Sequence, residues 1–162
     1  MLTCETGDGD TVLRRVTRTN MEMGEIEVLA DAFEGKQLHS PNDLSFDGQG
    51  RIYVSDRPDS SPRPEQTNVH GVYRIDPDGT VARILTKPEV MRPNGIVISP
   101  DDRTLYVIET EQAEGGPRLI RAYDLSNAGT VSNRRVVYDF YPGRSGDGIT
   151  IDSEGTCMSR LA

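Results

Sequence analysis

A chain of 162 residues has room for one domain with a real core, and its longest apolar runs, such as Ile96-Val97-Ile98, are far too short to span a bilayer. The net charge of -8 comes with no basic stripe, which excludes a nucleic-acid binder, since that function needs clustered Lys and Arg to displace counterions. Cys4 and Cys157 stand near opposite ends without CxxC spacing, so neither a zinc or thioredoxin motif nor a disulfide framework is expected. Met1 to Asp10 lacks the charged start and apolar stretch of a secretory signal, and a soluble, cytoplasmic placement is expected.

In chain order, Val12 to Val16 and Glu25 to Leu29 read as the last two strands of an opening unit. Leu44 and Phe46, then Ile52 and Val54, alternate with polar residues, the period-2 signal of strands with one buried side. Asp47-Gly48-Gln49-Gly50 between them is hairpin chemistry, because Asp and Gly tolerate positive φ. Residues Arg57 to Asn68, rich in Pro and Ser, form a loop, and Glu111 to Pro117 is a shorter equivalent. Further strands follow at Gly71 to Ile75 and Val81 to Leu85. The same order then recurs: Ile96 to Ile98, Leu105 to Ile108, Arg118 to Tyr123 and Arg135 to Tyr138.

The recurrence is a true repeat. Pro41-Asn42-Asp43-Leu44-Ser45-Phe46 matches Pro93-Asn94-Gly95-Ile96-Val97-Ile98, 52 residues later, and Gly146-Asp147-Gly148-Ile149-Thr150-Ile151, a further 53 on. Four antiparallel strands per repeat of about fifty residues is the blade of a β-propeller, so the fold class is all-β. The expected boundaries are residues 1–38 for the end of one blade, 39–90 and 91–143 for two whole blades, and 144–162 for the start of another. That is about three of an expected six blades, and the chain reads as an internal fragment of a ring. Cys157 to Ala162 loses the Leu-Tyr-Val pattern of the equivalent strands. Open blade edges expose unpaired backbone groups, and self-association through them is expected.

These motifs resemble the gluconolactonase and regucalcin (senescence marker protein) family of six-bladed propeller lactonases. The resemblance rests on Glu34-Gly35-Lys36 leading to Ser40-Pro41-Asn42-Asp43, and on Arg92-Pro93-Asn94-Gly95 followed by Ser99-Pro100-Asp101. Ser132 to Tyr138 and Gly146-Asp147-Gly148-Ile149 followed by Asp152 to Gly155 extend it, so that it runs from about Val12 to Gly155. It implies a single divalent cation at the top of the central channel, Ca²⁺ first, with Zn²⁺ and Mg²⁺ as the other candidates. It implies Asn94 and Asp147 as metal ligands, Asp147 also as general base, and Asn42 as a contact to substrate hydroxyls and a metal-bound water. The family's further ligand, a Glu in an E-G-P motif of the first blade, has no counterpart here, since Glu34-Gly35-Lys36 occupies a different place in the family's order. Ser40 stands where regucalcin-type members carry a substrate-facing Arg.

The residues make a physical case beside the resemblance. Asn42, Asn94 and Asp147 hold one repeat position, and equivalent positions in a propeller face one axis, so three oxygen-bearing side chains converge from distant segments. Amide and carboxylate oxygens suit a hard cation such as Ca²⁺, which takes 6–8 of them. Such a site suits hydrolysis of a small-molecule sugar lactone to its hydroxy acid. The rival readings are a propeller esterase or organophosphatase of related chemistry, and a non-catalytic binding or assembly segment. Asn and Asp before a strand are also ordinary turn residues, which leaves Asn42 open between turn and substrate. His39 and His70, without partners at ligand spacing, are expected at the surface or in loops, and Asp56 and Glu109 as solvated strand ends.

Overall fold

A computed structural model describes residues 1–6, 13–58, 70–111 and 113–161. Among them there is no helix, and hence none long and apolar enough to cross a membrane. Strands β6 (Pro41–Phe46), β7 (Ile52–Asp56), β8 (Gly71–Ile75) and β9 (Val81–Leu85) form one four-stranded antiparallel sheet in sequential order. Strands β10 (Pro93–Ile98), β11 (Thr104–Thr110), β12 (Arg118–Leu125) and β13 (Val131–Asp139) form a second. A three-stranded sheet precedes them, of β1 (Leu2–Glu5), β2 (Arg15–Thr19) and β3 (Ile26–Ala30). The short hairpin β4 (Ala32–Phe33) and β5 (Lys36–Gln37) follows it, and the pair β14 (Gly146–Ile151) and β15 (Cys157–Leu161) comes last. The architecture is a β-propeller of four-stranded antiparallel blades.

Strand β1 is absent from the expected set, and β2 begins at Arg15, with Val12 outside the described residues. Four residues at the start of the chain give too short a pattern to stand out alone. Yet Glu5-Thr6 repeats Glu109-Thr110 at the end of β11, and that match carried the signal. The loop expected over Arg57 to Asn68 lies mostly outside the described residues, beyond Pro58. Strand β15 pairs with β14 in spite of its divergent side chains, because backbone hydrogen bonding does not depend on them.

The hairpin chemistry is as the sequence requires. Asp47 accepts the N–H groups of Gln49 (3.0 Å) and Arg51 (3.1 Å), and Gly50 takes φ 78° to close the turn. The same carboxylate pairs with Arg51 Nε at 2.6 Å and takes the Tyr53 hydroxyl at 3.1 Å, which joins the turn to the middle of the sheet.

One expectation fails in an instructive way. Strands with a single buried side were expected, whereas every residue of β7 is buried. Tyr53 packs with Val72 and Leu85 against Ile96, Leu105, Val107 and Tyr123 of the next blade. Ile52 and Val54 point the other way, joining Tyr73 and Ile75 against Val16, Ala30 and Leu38. Each blade is sandwiched between two others, so the middle strands are apolar on both faces. Phe46, at the hairpin end of β6, lies outside both clusters and is exposed, as is most of the outermost strand β13. Leu105, fully buried between blades, should therefore lose about 2–5 kcal/mol on truncation to Ala, while Phe46→Ala should stay within about 0.5 kcal/mol of wild type. Urea denaturation of both variants measures the contrast.

Candidate functional site

The site is built at the starts of the inner strands. Strands β6, β10 and β14 lie side by side, and a fixed repeat position on each points at the next. On β6 that position is Asp43, whose carboxylate accepts the N–H of Ile96 on β10 at 3.0 Å and that of Leu44 at 2.9 Å. Two residues on, Ser45 Oγ accepts the N–H of Ile98 at 3.1 Å. On β10 the position is Gly95, where a Cβ would stand 2.6 Å from the Asp147 carbonyl oxygen and 3.0 Å from the Ile149 nitrogen. The difference between Pro-Asn-Asp and Pro-Asn-Gly is thus physical. At β6 a carboxylate bridges to the neighbouring strand, and at β10 the neighbour approaches too closely for any side chain. Burial, with a smaller contribution from the charge of Asp147, pushes the Asp43 carboxyl above its ordinary range despite the two N–H bonds.

The preceding position brings Asn94 and Asp147 together. Asn94, 4% exposed, donates from Nδ2 to Asp147 Oδ1 at 3.1 Å across the β10–β14 boundary. Both line a cavity of about 510 Å³. Asn42 holds the same position on β6 and is half-buried, but it is not among the described residues that line this cavity. The structure therefore joins two of the three expected residues and leaves the third one blade away.

Behind these residues stand two carboxylates expected to be solvated strand ends; both are fully buried. Asp56, at the end of β7, accepts the N–H groups of His39 (2.9 Å) and Ser40 (2.6 Å), the two residues before Pro41 and Asn42. Glu109, on β11, accepts those of Met91 (3.0 Å) and Arg92 (3.0 Å), the two before Pro93 and Asn94, and pairs with Arg121 Nε at 3.1 Å. The Glu109 backbone carbonyl also accepts the Ser145 hydroxyl at 2.9 Å, two residues before Asp147. One residue thus secures the approach to both Asn94 and Asp147. The corresponding place on β15, opposite Gly146, is Leu161. These acids are buried because the chain must turn into each inner strand beneath the next blade, where its N–H groups have no water to bond.

The histidines lie in loops, as expected, but are interior. His39 and His70 are 2% and 8% exposed, with rings edge to face at 5.7 Å, and burial lowers His70 to about 4. Cys4 and Cys157 are both free thiols, and burial with the charges of Asp43 and Asp56 pushes Cys4 up to about 12.

Comparison with known proteins places this geometry. Residues 7–160 match the model of the SMP-30/gluconolactonase/LRE-like region. The chain belongs to this family. A gluconolactonase of Zymomonas mobilis is 32% identical over 163 residues, which cover 93% of this chain and 44% of that protein. A gluconolactonase structure from Xanthomonas campestris superposes with a TM-score of 0.71 at 32% identity, covering 90% of this chain and 48% of that one. The calcium-binding protein regucalcin of Agrobacterium tumefaciens shares the fold, with a TM-score of 0.68 at 19% identity, over 90% of this chain and 46% of its own. The chain thus spans somewhat under half the length of each of these three relatives.

Asn94 and Asp147 both carry side-chain oxygens of the kind a hard cation takes. In their contact Asn94 turns Nδ2 to Asp147 Oδ1, which leaves the Asn94 amide oxygen and the second Asp147 oxygen outside this bond, in a place partly withdrawn from water. Among the described residues no three His, Cys, Asp or Glu side chains come together.

Two outcomes follow from the buried acids. Glu109→Ala strands the Arg121 charge and two N–H groups, and should cost about 3–5 kcal/mol in chemical denaturation. For Asp56, burial outweighs the His39 and Ser40 bonds and the Arg14 charge, raising it to about 7 from the usual value near 4. A raised carboxyl favours the native state while protonated, so its contribution is full below about pH 4 and lost as the pH climbs through about 7. The stability gap between wild type and Asp56→Asn, followed by thermal melts, should accordingly narrow between those limits.

Proposed function

We propose that this chain contributes Asn94, Asp147 and Asn42 to the metal-dependent site of a lactonase that opens a sugar lactone to its hydroxy acid. The observation that carries the reading is the Asn94–Asp147 contact at one repeat position of adjacent inner strands, in a chain whose relatives include gluconolactonases. Asn94 and Asp147 would hold the cation through their side-chain oxygens, with Ca²⁺ the best match to the donor set and Zn²⁺ or Mg²⁺ the alternatives. Bound there, the cation supplies Lewis acidity at the lactone carbonyl. The Asp147 carboxylate takes the proton of the attacking water as its oxygen bonds to the carbonyl carbon. The ring C–O bond then breaks, and the ring oxygen leaves with a proton as the new hydroxyl. Asn94 orients the Asp147 carboxylate by the Nδ2 hydrogen bond, and Glu109 and Ser145 keep both strand starts in place. Asn42, one blade away, is assigned to a substrate hydroxyl on the side of the axis facing β6.

Base consumption during opening of glucono-δ-lactone, with and without Ca²⁺, tests the reading. Asp147→Ala should lower turnover by at least about 10²-fold with an unchanged melt. Asn94→Ala should recover part of its rate in excess Ca²⁺, and Asn42→Ala should chiefly raise KM. A normally melting Asp147→Ala variant that keeps most of its turnover would overturn the assignment.

A further inference from the structure

Six arginines of this protein pair with a carboxylate of their own sheet. Arg15 binds Glu5, Arg18 binds Glu27, Arg51 binds Asp47, and Arg74 binds Asp76. Arg121 binds Glu109 and Arg135 binds Asp124 in the same manner. In a chain with 26 acidic against 18 basic residues, a carboxylate is easy to find. The cavity over Asn94 and Asp147 departs from this pattern. It is lined by Arg57, which follows β7, by Arg92 ahead of β10, by Arg118 on β12 and by Arg160 on β15. None of these four has a carboxylate within ion-pair distance among the described residues. Arg57, Arg92 and Arg118 are half-buried, and Arg118 donates only to the Gly143 carbonyl, at a long 3.3 Å.

Four guanidinium groups from three sheets thus line one space of about 510 Å³ together with Arg144, Glu111 and Asp147, where the Glu111 carboxylate accepts the Ala113 N–H at 3.2 Å and the Asp147 carboxylate the Asn94 amide at 3.1 Å. Like charges gathered in a cleft with protein walls repel each other and focus a positive potential, which concentrates anions. The planar fork of Arg matches the paired oxygens of a phosphate or carboxylate. We infer that this cavity selects an anionic lactone, a sugar lactone bearing a phosphate or carboxylate group away from the reacting ring ester, with that group held by Arg57, Arg92, Arg118 and Arg160. The inference rests on the lactonase reading for its reaction, but the binding preference stands on the arginines alone. Hydrolysis adds a second negative charge at the opened carbonyl, so the product is also an anion that the same residues retain.

Two measurements separate the claims. In the first, calorimetry in Ca²⁺-free buffer with chelator compares 6-phosphogluconate, gluconate and the neutral polyol glucitol as ligands of the 162-residue chain. Binding should weaken in that order, with 6-phosphogluconate at least about tenfold tighter than glucitol, and the difference should shrink in 0.5 M NaCl, about three times the physiological ionic strength. The Arg57→Gln and Arg118→Gln variants, each checked for a wild-type melt, should each lose most of it. Equal affinity for the three ligands, or a preference that survives both substitutions, overturns the inference. In the second, kcat/KM is compared for 6-phosphoglucono-δ-lactone, for the carboxylate-bearing glucaro-1,4-lactone and for neutral glucono-δ-lactone. A preference of at least about tenfold for either anionic lactone, abolished in Arg57→Gln while neutral turnover persists, supports the inference and shows which anion is used. Preference for the neutral lactone overturns it. If no lactone is opened, the lactonase reading fails, and the calorimetric ordering alone decides whether the cavity is an anion site.

Discussion

Everything at the candidate site depends on how closely neighbouring inner strands approach each other. In a propeller no strand of one blade completes the backbone ladder of the next, so the join between blades must be made by side chains. Here two solutions alternate. Between β6 and β10 the polar side chains of Asp43 and Ser45 reach across to the N–H groups of Ile96 and Ile98. Between β10 and β14 the side chain is removed at Gly95, and the Asp147 backbone moves in against it. The second solution is the tighter, and it brings the Asn94 amide to the Asp147 carboxylate. The chemistry is therefore local to one boundary, set by the absence of a Cβ.

Closeness alone would leave both side chains free to wander, since each begins a strand where the chain has just emerged from a turn. The buried acids remove that freedom. Glu109 lies on the second strand of its blade, in register with Pro93, and its carboxylate gathers the N–H groups entering β10 while its carbonyl restrains the entry to β14. Asp56 does the same for the entry to β6. Removing a charged acceptor from such a position is costly because the donors stay buried, and that cost is what makes the arrangement rigid. Rigidity at a strand start matters more than in mid-strand, because no flanking ladder bond fixes the residue from its N-terminal side.

Much of the fold was legible because a repeat multiplies weak signals. No single strand here is diagnostic, but Pro-Asn-Asp, Pro-Asn-Gly and Gly-Asp-Gly at near-constant spacing mark both the blade and the repeat position shared by Asn42, Asn94 and Asp147. What escaped the sequence was environment. The polar look of Asp56 and Glu109 suggested water, and both are buried, satisfied by the N–H groups of the turn entering the inner strand of their own blade; His39 and His70 lie in loops, but buried ones. Val136, Val137 and Tyr138 are apolar and yet exposed, because they stand on the outer strand of the blade. In both cases alternation reports which residues share a face, but only the position of the strand within the blade decides whether that face is covered.

The same distinction bears on the cavity's charge. A metal site in an acidic chain invites the view that the acidity serves the cation, yet Glu5, Glu27, Asp47, Asp76, Glu109 and Asp124 are engaged with arginines of their own sheets. The residues that remain without such partners near Asn94 and Asp147 are cationic. A cation and a ring of guanidinium groups are compatible only if anions lie between them, because in a partly dry cavity unscreened like charges interact strongly. Asp147 supplies one such anion, and it is shared with Asn94. A ligand that brings a second one, placed toward Arg57 and Arg118, relieves the remaining repulsion and draws its other end toward Asp147. On this view the arginines do not compete with the metal for the carboxylate. They set the orientation in which a charged substrate enters, which a neutral sugar ring with hydroxyls on every side could not do for itself.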